Sequence, residues 1–155
     1  MLSATPKSIF SWDYIVSDGG TPIAELDVSW FRERGSFTMA GHQFDVLRTS
    51  MLGGTFELHA GDLVLASARK PSAFLRSLEV QVEGRCYTLS ADQPFTRCFS
   101  LHEGNRQLGT IRPLHWMTRK ARIDLPDDIN PAVQLFMFWL VAVLWRRAAS
   151  NNSGS

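Results

Sequence analysis

Asn130-Pro131-Ala132-Val133-Gln134-Leu135-Phe136-Met137-Phe138-Trp139-Leu140-Val141-Ala142-Val143-Leu144-Trp145-Arg146-Arg147 decides the fold. Asn130 is a good N-cap, and Pro131 suits the first helical position. Two arginines close the last turn, where the helix dipole favours cations. Between these ends Gln134 is the one polar residue. A surface helix carries a single apolar stripe, whereas this one is apolar on every side. It must therefore be surrounded by protein or by lipid.

Length separates the two settings. A bilayer span needs roughly 20 apolar residues, while runs of about 10–14 are more often buried core helices. Ala132–Trp145 covers 14 residues. At about 1.5 Å per residue it reaches about 21 Å, short of a hydrocarbon core of about 30 Å. Trp139 would also lie near the midplane, whereas membrane tryptophans prefer the interfaces. The reading is a helix over about 131–148, enclosed by the rest of the chain; a tail anchor is the alternative.

The enclosure is read from residues 8–123, where short runs of Phe, Val, Leu, Ile and Thr alternate in polarity. The candidate strands are 8–16, 21–31, 35–40, 43–49, 55–59, 63–69, 75–83, 86–90, 97–102, 106–112 and 119–125. That makes eleven, or twelve if 21–31 is two. Turn chemistry separates them, as in Asp18-Gly19-Gly20, Ala40-Gly41-His42, Ala60-Gly61-Asp62, Glu83-Gly84-Arg85 and Glu103-Gly104-Asn105.

The chain also repeats. Shifted by 43 residues, Phe31–Arg69 lies on Phe74–Arg112 without a gap, matching Phe56-Glu57-Leu58-His59-Ala60-Gly61 to Phe99-Ser100-Leu101-His102-Glu103-Gly104. A shift of 42 lays Tyr14–Leu26 on Phe56–Ala68. One hairpin pattern, aromatic-x-apolar-x-x-Gly-x-x-x-apolar-small, thus occurs three times. Repeated antiparallel hairpins expose their edges unless the sheet closes. Eight strands make a barrel filled by its own side chains, and about twelve leave room for more. A helix is about 10–12 Å across with its side chains. The fold expected is mainly β: a closed antiparallel barrel of about 12 strands enclosing the C-terminal helix. Residues 1–149 form one domain, and 150–155 a polar, disordered tail.

Twelve strands, hairpin repeats with Leu108-Gly109-Thr110-Ile111, and a C-terminal apolar helix together resemble the tubby C-terminal fold. Within it the LURP-one-related and phospholipid-scramblase-like proteins are the most similar. The resemblance spans residues 8–149 and implies the barrel. It also implies contact with lipids, since tubby domains hold phosphoinositide headgroups through basic side chains on the barrel, and scramblase-like members associate with membranes. The calcium-binding segment and the Cys-rich acylation stretch of the scramblase type have no counterpart here.

Composition narrows the function. Hydrophobic residues make up 45% and charged residues 20%, as in a globular domain. The net charge of +1 gives no general pull toward nucleic acid. Residues 1–30 lack a signal peptide pattern, and two cysteines, Cys86 and Cys98, make no disulfide framework, so a reducing, cytoplasmic setting is expected. There is no G-x-S-x-G elbow, GxGxxG or Walker loop, and no enzyme activity or cofactor is expected. His59 and His102 occupy equivalent repeat positions beside a turn glycine. They read as surface residues rather than metal ligands, because no carboxylate or Cys cluster accompanies them.

The basic residues are the candidate site. Arg69-Lys70 and Arg112 are repeat-equivalent strand ends, and Arg119, Lys120 and Arg122 follow Trp116. Together these seven residues would form a basic patch with an aromatic anchor, suited to lipid phosphates. Asp124, Asp127 and Asp128 stand close in sequence and would oppose it. The function expected is a non-enzymatic binding or scaffold module, peripheral at a membrane, touching anionic headgroups or a membrane-associated protein. A carrier with an apolar pocket beside the helix is the alternative, and the tail-anchored protein a third.

Overall fold

A computed structural model describes residues 1–29, 34–49, 54–71 and 76–154. Phe31 and Phe74 of the repeat lie outside the described residues. Twelve strands precede one helix. They are β1 (Leu2–Pro6), β2 (Tyr14–Asp18), β3 (Thr21–Ser29), β4 (Arg34–Met39), β5 (His42–Arg48), β6 (Thr55–Ala60), β7 (Leu63–Arg69), β8 (Ser77–Val82), β9 (Arg85–Ala91), β10 (Phe99–Glu103), β11 (Arg106–Pro113), β12 (Ala121–Asp124) and α1 (Pro131–Ser153). Each strand pairs antiparallel with its neighbours in sequence, and β1 pairs with β12 to close the barrel.

The strand count matches the expectation, but the twelfth strand is not a divided 21–31. β3 is continuous from Thr21 to Ser29, and the additional strand is Leu2–Pro6. The strand expected over 8–16 starts only at Tyr14, and Lys7–Asp13 is instead a connection. Leu2–Pro6 is short, and what makes it a strand is pairing on both sides, Leu2 with Ile123 and with Asp18. Local pattern does not reveal such distant pairing.

Two hairpin designs alternate around the barrel. Ala40-Gly41 and Glu83-Gly84 form two-residue turns with positive φ at both positions (51° and 77°, 48° and 79°), the primed geometry that follows strand twist. The hairpins β2–β3, β6–β7 and β10–β11 each carry a register shift, between Val16 and Ser17, Leu58 and His59, and Leu101 and His102. The residues they force out of register are Ile23, Leu65 and Leu108, each followed by Ala24, Ala66 or Gly109. The repeated "apolar-small" element is therefore a β-bulge. One bulged hairpin plus one tight hairpin makes the 43-residue unit.

The barrel consists of three such four-strand units. The third is split: a shift of 43 would place the counterpart of β9 on residues 128–134, where the chain enters the helix. β1 takes that place beside β12.

Inward side chains from every strand and the helix form one buried cluster. Helix residues Ala132–Arg146 are all buried. Trp139 is fully enclosed, with Phe56 edge-on at 5.6 Å between ring centroids, and Tyr14 meets Phe138 in the same manner at 4.9 Å. The helix is apolar enough to cross a membrane, yet here the barrel is its surroundings. Apart from the buried Tyr14 hydroxyl, which has no hydrogen-bond partner among the described residues, several polar groups inside are matched. Gln134 donates to the carbonyls of Pro126 (3.1 Å) and Ile129 (2.9 Å), Trp139 Nε1 to Asp27 (3.1 Å), and Trp145 Nε1 to Arg97 (3.0 Å). Asn130 accepts from the Ala132 N–H at 2.9 Å, as an N-cap should.

The helix departs from expectation at its end. It continues to Ser153, past the predicted 148, so Ser150–Ser153 are helical rather than tail. Arg146 is only 5% exposed and donates to the Val28 carbonyl at 2.8 Å. Good helix formers continue through Ala148 and Ala149, and the Ser153 hydroxyl donates back to Ala149 O.

Candidate functional site

The barrel has two unlike rims. Five tight hairpin turns and the start of the helix lie at one end. Six longer connections and the end of the helix lie at the other. The predicted basic residues all belong to the strands and connections of this second end, but the fold divides them.

Arg69 and Lys70 end β7. Arg112, Trp116, Arg119, Lys120 and Arg122 belong to β11, β12 and the connection between them. β8, β9 and β10 stand between the two groups, so the expected single patch is two. Arg69 is engaged on the outer face by Glu79, its register partner on β8, at 2.7 Å. Lys70 is half-buried, and its pKa is lowered first by burial and then by Arg147 and Arg76. Arg119 is structural: its guanidinium donates to the carbonyls of Ser8, Ile9 and Ser11 and lies 5.0 Å over the Trp12 ring. Lys120 lines a 420 Å³ cleft with Ile9 and Met117.

What the fold does bring together is Arg112, Arg122 and Trp116. Arg112 on β11 stands directly opposite Arg122 on β12. Both are exposed, and neither guanidinium has a hydrogen-bond or ion-pair partner among the described residues. Like charges placed directly opposite on a sheet destabilise it. The pair floors an open cleft of 640 Å³ whose walls include Phe95, Arg97, His115 and Trp116. Arg97 is engaged in the wall itself, donating to the carbonyls of Thr118 (2.8 Å) and Trp116 and lying 5.7 Å over the Trp145 ring.

The other units show what this position ordinarily holds. Arg112 and Arg122 correspond, at the 43-residue shift, to Arg69 and Glu79, which form an ion pair. In the first unit the pair is Asp27 opposite Ser36. The third unit alone places two cations there. It has the donor set for an anion with several oxygens, since two guanidiniums supply up to ten N–H donors.

Of the acidic residues expected to oppose the patch, Asp124 shares the outer face of β12 with Arg122, two residues on, but makes no ion pair with it. Asp124 ends β12 at the far rim, and Asp128 pairs there with Arg85 at 3.4 Å. Glu103 also meets Arg85, and that hydrogen bond holds its carboxyl below the usual range. His59 and His102 are kept apart by β7, β8 and β9; His59 bonds Glu57 at 2.8 Å. Cys86 begins β9 and Cys98 precedes β10, so the two thiols sit at opposite rims and are free. Of the helix, only Val133 lines any of the cavities described, so the expected apolar pocket has no counterpart among them. No group of three metal-ligating side chains occurs among the described residues.

Phe95 and Arg97 were missed as site residues. Their signal was in the sequence: Pro94-Phe95-Thr96-Arg97 and Trp116-Met117-Thr118-Arg119 match at a spacing of 22, half the repeat. Comparison of the chain with family models, curated proteins and solved structures gave no match.

Proposed function

We propose that this chain is a non-enzymatic binding module whose cleft between the β9–β10 and β11–β12 connections takes a phosphate-type anion presented by a lipid headgroup. The observation that carries this reading is the unpartnered Arg112 and Arg122, side by side where the equivalent Arg69 has Glu79. An oxyanion between them would replace repulsion by charge-assisted hydrogen bonds.

A tubby-like assignment agrees with this reading, and a closed twelve-strand barrel around a C-terminal helix supports it. The module would then work peripherally on the cytoplasmic leaflet, where anionic lipids concentrate. Two arms test the proposal and separate its sources of phosphate. One is flotation with phosphatidylcholine vesicles containing phosphatidylserine or a phosphoinositide, and the other is calorimetric titration with soluble inositol phosphate. Arg122→Glu should weaken binding sharply in whichever arm is positive. Vesicle binding alone identifies a lipid ligand, and soluble binding alone a free phosphate compound. Binding that is unchanged in Arg122→Glu rules the cleft out.

A further inference from the structure

Three of the connections at the loop rim are the same structure. They are Lys7–Asp13, Asp92–Cys98 and Leu114–Lys120. In each, the first N–H donates to the last carbonyl at 2.9 Å. In each, the fifth N–H closes a tight turn on the second carbonyl, at 3.3, 3.3 and 3.2 Å. In each, the fifth residue is Ser or Thr, and its hydroxyl accepts from the last N–H, at 2.9, 3.1 and 3.0 Å. This frame fixes the third and fourth residues at the tip, pointing away from the barrel. They are Ile9-Phe10, Pro94-Phe95 and Trp116-Met117.

The tips are apolar and bare. Phe10 is 90% exposed, Phe95 99% and Trp116 83%. Most large hydrophobic residues exposed among the described residues lie in these three connections. Strand order makes the connections neighbours, since β1 follows β12 around the barrel. They are braced together by arginine: Arg97 to the carbonyls of Trp116 and Thr118, and Arg119 to those of Ser8, Ile9 and Ser11. A rigid arc of apolar tips, contiguous and without a partner, marks an interaction surface.

The distribution of charge selects the occupant. Around the arc stand Arg112, Lys120 and Arg122, with Lys7 paired to Glu25, whereas the far rim is dominated by Asp18, Asp62, Glu83, Glu103, Asp127 and Asp128. The near-zero net charge conceals a barrel basic at one end and acidic at the other. Basic residues beside aromatic and aliphatic tips fit the boundary between anionic headgroups and acyl chains. The same spacing runs through the whole sequence: Phe10, Phe31, Leu52, Phe74, Phe95 and Met117 recur every 21 or 22 residues.

We propose that this arc is a bilayer-insertion edge, in which Phe10, Phe95, Trp116 and Met117 enter an anionic leaflet and the Arg112–Arg122 cleft between the tips meets a lipid phosphate. The second half of this statement rests on the function proposed above; the first stands on the tips alone. Helix residues Ala148–Ser153, exposed and mostly polar, leave the barrel at the same rim, so the molecule meets the membrane tilted onto the arc rather than end-on.

The test uses the full chain and vesicles of phosphatidylcholine, with or without phosphatidylserine, carrying brominated acyl chains. Insertion brings bromine to Trp116, so tryptophan fluorescence should fall with anionic vesicles and the quenching should disappear in Trp116→Phe, which still floats. The combined variant Phe10→Ser, Phe95→Ser, Met117→Ser should float at least tenfold more weakly, with unchanged thermal unfolding and circular dichroism. If that variant floats normally, or if bound protein is not quenched, insertion is overturned while headgroup binding survives. If Arg122→Glu leaves quenching intact, insertion stands and the cleft reading falls. Reversible self-association without lipid, abolished by the tip substitutions, would make the arc a contact between copies and overturn the proposal.

Discussion

The second and third units of the barrel are built alike and used differently. β6–β9 and the set β10, β11, β12 and β1 share a bulged hairpin, a strand pairing and a register, and many aligned residues. Two of the differences between them bear on the site and its frame. Ala66 of the second bulge is Gly109 in the third, and Glu79 is Arg122. The first difference is structural. A Cβ on Gly109 would lie 2.3 Å from the Asp124 carbonyl oxygen and 3.0 Å from Leu125 Cα, where the chain leaves β12 for the helix. The second difference removes an ion pair and leaves two cations facing a cleft. With the bulge, the strand pairing and the register retained, the unit without the acid is the one placed to take an external anion.

The largest effect expected is on Gly109→Ala. Backbone must move to admit the methyl group, so the variant should unfold with about 3 kcal/mol less stability or fail to fold. Ala66→Gly, the reverse exchange in the second unit, should lose only about 1 kcal/mol. Denaturant titration of both variants checks the pair; equal losses would show that the two bulges do not differ.

Next comes Arg122→Glu, which gives the third unit the Arg–Glu pair of the second. Anionic vesicle binding should weaken about tenfold or more, equivalent to about 1.4 kcal/mol, while stability stays level or rises. Flotation and thermal unfolding of one preparation read both quantities. Glu79→Arg makes the converse change and should cost about 0.2–1 kcal/mol from like charges face to face. If it also strengthens vesicle binding, the paired guanidiniums suffice as a site; if not, the walls supplied by Phe95 and Trp116 are required.

The smallest effect concerns the first unit, where Asp27 stands at the position of Arg69 and Arg112. Its pKa is raised first by burial, then by the charge of Asp13 and a hydrogen bond between the two carboxyls. A folded-state value above the unfolded one means the group's contribution is complete below 3.8 and is lost as pH rises through the folded value. Ionised Asp27 therefore opposes folding at neutral pH. Asp27→Asn should gain about 0.5 kcal/mol at pH 7, and the gain should vanish below about pH 4. Unfolding measured at both values decides this.

Legibility followed periodicity. The helix was read from Asn130, Pro131 and the unbroken apolar run because those signals are local. The barrel followed from alternating strands and the 43-residue match, and its width from what an all-round apolar helix needs. β1 was missed because Leu2–Pro6 is a strand only through Asp18 on one side and Ile123 on the other. In the site, Arg112, Arg122 and Trp116 were legible as residue types. Their separation from Arg69 was not, since it depends on three intervening strands.

By itself the sequence determined the elements: an apolar helix that must be covered, hairpins of fixed period, and turns whose glycines admit positive φ. Each depends on residues near one another in the chain. Only the tertiary structure decided which outward side chains meet. Arg112 and Arg122 face each other through the register of β11 on β12. Connections more than 100 residues apart, Lys7–Asp13 and Leu114–Lys120, share a rim because the barrel closes between β1 and β12. Closure and register are set by pairing across the whole chain, and hairpins equivalent in sequence acquire different neighbours only when the ring is complete.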